Sequence, residues 1–118
     1  HNVDDSPAPD VAGEVRQAQP IDPEAPATLT STLPLAAMHK RLTALGLPSY
    51  VSDSAGGYLC NHLFFHVCRL ALRQPQAPRA GFVHVPRFGT GAGHLAPAQL
   101  EAGARIVIAA CAAAWRGA

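Results

Sequence analysis

Apolar positions are aperiodic over the first thirty residues and regular after them. Through residues 1–31, prolines stand at 7, 9, 20, 23 and 26 with Asp and Gly between them, which reads as an extended, loop-rich arm. Beyond it, Leu35, Met38, Leu42 and Leu45 recur on one helical face, with Pro34 suited to the first turn and Gly46 to the end. A short strand is expected over 49–53, ahead of the Gly56-Gly57 turn. From about 61 to 72 the pattern is helical again. His62, His66, Arg69 and Arg73 form a polar stripe, and Leu63, Phe64, Val67, Cys68 and Ala71 form the apolar side. GFVHVP, residues 81–86, predicts a second strand closed by proline. After a glycine-rich loop, Pro97 opens a last helix whose buried face is expected at Leu100, Ala104, Val107, Ile108, Cys111 and Trp115.

Residues 32–118 are thus expected to run helix, strand, helix, strand, helix. Two strands joined through a helix make a parallel βαβ unit with right-handed crossover, and the class is α/β. Two strands are too few for a parallel sheet covered on both faces, so other strands or a partner are expected to complete it.

Composition narrows the chemistry. One domain is the most that 118 residues suggest, and a formal charge of +1 points to neither nucleic acid nor an anionic membrane. No run of 18 apolar residues occurs, and the acidic, proline-bearing start does not resemble a secretory leader. Three cysteines without a CxxC pair argue for a reducing, cytoplasmic setting in which each cysteine is either packing or chemistry.

Cys60 stands apart from the other two. It follows the Gly56-Gly57 turn where a helix begins, and unpaired amides at a helix N-terminus favour a thiolate and can hold an oxyanion. Cys68 falls on the apolar face beside Phe64, and Cys111 lies in an alanine-rich helix; both read as packing. A cysteine nucleophile needs a base, and His84, near the end of the next expected strand, is the candidate. Its plain alternative is a satisfied strand histidine between Val83 and Val85. Of the carboxylates, Asp53 alone lies near the Cys60 turn, and none is placed behind His84 to orient it.

Other motifs are weaker. Cys60, His62 and His66 suggest a metal, but Leu63 stands where a zincin has glutamate, and the stripe continues into Arg69 and Arg73 as a solvated face. No metal site is therefore assigned. GTGAG, residues 89–93, lacks a P-loop's GK[ST] and is expected to be a flexible loop. Phe64, Phe65 and Trp115 suit a core.

SAGGYLCNHLFF, residues 54–65, followed by GFVHVP, resembles the pyrrolidone-carboxylate (pyroglutamyl) peptidases, cysteine peptidases of α/β fold. NVDD at 2–5, Pro9-Asp10, QPID at 19–22 and STLPLAAM at 31–38 match the same family in the same order. The resemblance implies a three-layer α/β/α sandwich around a partly parallel sheet, of which residues 1–118 would be an N-terminally truncated, C-terminal portion. It implies that Cys60 is the nucleophile, that His84 is the general base and acid, and that Tyr58 helps to enclose a pyroglutamyl ring. The family's third catalytic residue, a glutamate, would precede His1, so this chain alone is expected to be a poor enzyme and only marginally folded. Pro7 stands where members commonly have arginine. The implied activity is removal of N-terminal pyroglutamate from peptides, without metal or cofactor. The implied partners are such peptides, with no nucleic acid or membrane and with homo-oligomers left open. The alternative is an inactive or divergent remnant that binds peptide or serves a structural role.

Overall fold

The computed structural model describes residues 1–89 and 91–117. Among them three helices form: α1 (Leu35–Ala44), α2 (Leu59–Arg73) and α3 (Pro97–Arg116). The chain folds as two compact units, each assembled from two separated stretches. One joins His1–Thr32 to Ser52–Phe82; the other joins Leu33–Val51 to the chain from Val83 onward.

The first unit is α2 and the segment that wraps it. α2 buries Asn61, Phe65 and Cys68, the i, i+4, i+7 spacing of one helical face. The apolar side expected from the sequence is corrected in part: Cys68 is buried as expected, but Leu63 is 57% exposed and Val67 is exposed as well. Hydrogen bonding decides the difference. The N-terminal segment lays backbone carbonyls on α2, and Asn61 can satisfy them where a leucine could not. Its side-chain amide donates to the carbonyls of His1 and Val3, both at 2.9 Å. Phe64 turns the other way and meets Phe82, ring centroids 6.0 Å apart.

The polar stripe of α2 is corrected in part too. His62 bonds Asp4, and Arg69 and Arg73 approach the Asp22 carboxylate at 3.3 and 3.8 Å, so the stripe is partly docked on the N-terminal segment while His66 and Arg73 stay exposed as expected. Residues 1–32 make no helix and a single antiparallel bridge, Asp4 to Gln19, yet their polar groups are well paired. The Asn2 amide donates to the carbonyls of Asp22 and Ala25, and its oxygen accepts from the Asp22 amide. Thr32 closes the segment: its hydroxyl accepts from the Ala80 amide at 2.7 Å, and its own amide donates to the Ala80 carbonyl at 2.8 Å.

The second unit is α1 packed on α3. Met38, Leu47 and Ala110 are its buried apolar residues. α1 ends as expected, with Gly46 at φ 71°, a conformation glycine adopts without a Cβ penalty. On α3 the packed side centres on small residues: a Cβ at Gly103 would lie 3.7 Å from both Leu42 and Leu47. Ile108 and Trp115, expected inside, are each 68% exposed. The alanine-rich helix offers several faces of similar apolarity, and periodicity alone cannot choose among them. Pro97 opens α3, and the Gln99 side chain accepts the Ala96 amide at 2.8 Å.

The two expected strands do not form a sheet. Neither 49–53 nor 81–86 carries a ladder, and among the described residues β pairing is confined to two isolated bridges, Asp4–Gln19 and Phe88–Leu95. A strand requires the hydrogen bonds of its neighbour. Val51, Val83 and Val85 supply β propensity without supplying that neighbour, and all three are exposed.

Candidate active site

Cys60 is the second residue of α2, which begins two residues before the start expected from the sequence, so the thiol sits in the first turn. Gly56 takes φ 84°, and Tyr58 follows in extended backbone as the residue that caps the helix. The first bond of the ladder runs from the His62 amide to the Tyr58 carbonyl at 3.0 Å. The amides of Leu59, Cys60 and Asn61 therefore lie ahead of the ladder, at the positive end of the helix dipole. Such amides can stabilise an oxyanion formed at a thiol beside them.

Residues 5–9 pack on this turn. A Cβ at Gly57 would run into the Asp5 carbonyl oxygen, so glycine is needed for the close approach. The Asp5 amide donates to the Gly57 carbonyl at 2.7 Å, and the Tyr58 hydroxyl donates to the Pro9 carbonyl at 2.5 Å. Tyr58 is thus oriented by the same loop that carries the exposed Pro7. Asn61, 1% exposed, pins the helix just after the thiol to residues 1 and 3. The sequence reading missed Asn61, Asp4 and Asp22. Acidic residues in the N-terminal segment and the helical stripe of His62, Arg69 and Arg73 are complementary in charge, but nothing in the sequence pairs Asp4 or Asp22 with that stripe. Asn61 acts on backbone carbonyls that carry no sequence signal.

Of the two cysteines expected to be packing residues, Cys68 is buried and Cys111 is not. Cys68 is buried, and desolvation pushes its thiol above the ordinary range, which keeps it protonated. Cys111 is half-buried on α3. None of the three forms a disulfide.

His84 lies in the second unit, exposed, in the irregular stretch between Val83 and Val85. The carboxylate of that unit is Glu101, whose oxygen accepts from Arg105 at 3.0 Å one helical turn on. Asp53 is exposed in the first unit. Of GTGAG, Thr90 lies outside the described residues, and the His94 amide donates to the Gly91 carbonyl at 3.0 Å. Among the described residues no group of three or more His, Cys, Asp or Glu side chains is arranged to hold a metal ion. No described helix is long and apolar enough to cross a membrane.

A family model for pyroglutamyl peptidase matches residues 1–98. The chain belongs to the pyroglutamyl peptidase family. Pyrrolidone-carboxylate peptidase of Levilactobacillus brevis is 42% identical over 85 residues, covering 72% of this chain and 42% of that protein. The enzyme of the same name from Streptomyces coelicolor is 38% identical over 117 residues, covering 94% of this chain and 54% of its own. This chain therefore spans about half the length of these relatives. A mutant pyrrolidone carboxyl peptidase from Pyrococcus furiosus superposes with TM-score 0.88 at 27% identity, covering 97% of this chain and 60% of that one. Pyroglutamyl peptidase I from Bacillus amyloliquefaciens superposes with TM-score 0.86 at 26% identity, covering 94% and 55%. These likenesses accord with the expected α/β class, although the described residues show isolated bridges rather than a sheet.

Proposed function

We propose that this chain carries the nucleophile and the base of a cysteine omega peptidase that removes N-terminal pyroglutamate from peptides. The observation that carries the reading is Cys60 in the first turn of α2, behind a glycine turn that residues 5–9 cover, in a chain of the pyroglutamyl peptidase family. The Cys60 thiolate attacks the carbonyl carbon joining the pyroglutamyl residue to the peptide. The tetrahedral oxyanion is held by amides at the start of the helix. The C–N bond then breaks, and His84 delivers the proton to the departing amine. Water, relieved of a proton by His84, attacks the thioester and releases 5-oxoproline and the thiolate. This chemistry calls on no metal or organic cofactor.

Tyr58 is assigned to the substrate ring. A pyroglutamyl terminus has no ammonium charge, so an apolar, aromatic wall with a few lactam hydrogen bonds selects it over ordinary N-termini. On the same reading, residues 1–118 form the C-terminal portion of one three-layer α/β/α domain around a partly parallel sheet; that the chain covers 42% and 54% of two relatives is in keeping with a portion of such a domain. A cytoplasmic setting is favoured by three thiols without a paired CxxC.

Pro7 favours a second reading, a divergent member that binds such peptides without turning them over, because arginine is common at that place in the family. Hydrolysis of a pyroglutamyl-coumarin reporter, compared with a prolyl-coumarin reporter, separates the two. Only weak turnover by residues 1–118 is expected, confined to the first reporter and lost in Cys60→Ala; strong turnover would contradict the expectation that this chain alone is a poor enzyme. Saturable binding of a pyroglutamyl peptide with no turnover would favour the divergent reading, and equal turnover by Cys60→Ala would remove Cys60 from the mechanism.

A further inference from the structure

His62 and His66 stand one turn apart on α2 with their Nε2 atoms 3.1 Å from each other and their ring centroids 4.6 Å apart. The geometry points to a two-histidine chelate for a divalent transition-metal ion, and we propose that such an ion binds here through both Nε2 atoms. Three observations carry this. First, the separation is the right bite: two imidazole nitrogens at about 2.0–2.1 Å from an ion stand about 2.9 Å apart at a right angle and about 3.3 Å apart at the tetrahedral angle. The 3.1 Å found here needs only a slight ring rotation.

Second, the tautomer of His62 is set. Its Nδ1 lies 2.9 and 3.0 Å from the two Asp4 carboxylate oxygens, and one of those oxygens also accepts from Arg16 at 3.1 Å. A carboxylate accepts and does not donate, so the His62 proton sits on Nδ1 and the Nε2 lone pair faces His66. A carboxylate behind a ligating imidazole is the usual second-layer partner of a metal histidine, where it fixes the ring and raises its basicity. Asp4 itself is 5% exposed and thus held in place.

Third, the open side is accessible. His66 is exposed, so water can fill the remaining coordination positions that no third protein ligand takes among the described residues. In the metal-free state the His66 Nε2–H donates to the His62 Nε2. On binding, that proton leaves Nε2 and solvent returns one to Nδ1 of the same ring, so both lone pairs reach the ion. The i, i+4 spacing of the pair is visible in the sequence; what is not visible there is the orientation of His62, because it depends on Asp4, 58 positions away.

The chelate is independent of the peptidase reading, and its test needs no turnover. Ni²⁺, which favours imidazole over thiolate, is titrated into the full chain by calorimetry, with histidine ring resonances followed by NMR. One tight site is expected, with the His62 and His66 ring signals broadening before those of His1, His39, His84 and His94. His66→Ala, an exposed change that leaves the fold intact, is expected to abolish that site, and Asp4→Asn to weaken it about 10-fold or more. Cys60→Ser is expected to leave it unchanged. Wild-type Ni²⁺ affinity in His66→Ala, broadening that begins at other histidines, or no saturable binding by the wild-type chain would each overturn the proposal.

Discussion

Asn61 shows how a single side chain can matter more to a site than its type suggests. It is an amide at the N-terminal end of an otherwise apolar buried face, and it satisfies two carbonyls of the segment it holds. Asn61→Ala leaves those carbonyls without a partner, at about 1–3 kcal/mol. Urea titration is expected to show that loss, while Asn61→Asp fares no better because a carboxylate cannot donate to a carbonyl. Asp22 gives a pH-dependent counterpart. The Glu24 amide, at 3.0 Å, does most to hold its carboxyl below the usual range; partial burial works against this, and Arg69 adds to it. A carboxylate whose folded-state pKa is depressed stabilises fully above its unfolded value and loses that contribution as pH falls toward the folded value. The Tm advantage of the wild type over Asp22→Asn is therefore expected at about pH 6 and should shrink by about pH 3. An advantage that grows on acidification would reverse the assignment. Neither residue was legible in the sequence, since each acts on a partner more than twenty positions away or on backbone atoms that no periodicity displays.

At the scale of elements, the three helices were readable and their faces only in part. Proline near the start and glycine at the end bounded α1, and Pro97 opened α3, because those signals are local. α2 starts two residues before the expected position, and this places Cys60 inside the helix rather than ahead of it. The buried side of α2 was placed only in part because Leu63 and Phe65, about 200° apart around the helix, are both apolar, and nothing in the pattern says which side meets the partner. The corrected face makes a clean comparison. Phe65→Ala should cost about 3–5 kcal/mol, whereas Leu63→Ala, at an exposed position, should stay within about 0.5 kcal/mol. Chemical denaturation of the two variants distinguishes the faces, and the opposite order would restore the sequence-based one. The strands failed for a related reason: GFVHVP has the residues of a strand, but a ladder is a property of two segments, and one segment cannot announce its partner.

At the scale of the whole molecule, family membership was the most legible feature, because two long motifs in fixed order are specific where periodicity is not. The division into two discontinuous units was invisible, since each unit is closed by contacts between stretches far apart in sequence, such as Asp4 with His62 and Thr32 with Ala80. The central claim is that one thiol of three is a nucleophile aimed at a pyroglutamyl carbonyl. Its most direct test is affinity labelling of the chain with a pyroglutamyl chloromethyl ketone, followed by peptide mapping of the adduct. The account predicts alkylation at Cys60, with Cys68 and Cys111 unmodified, competition by a pyroglutamyl peptide, and slower labelling in His84→Ala. Equal, slow modification of all three cysteines, indifferent to the peptide, would contradict it.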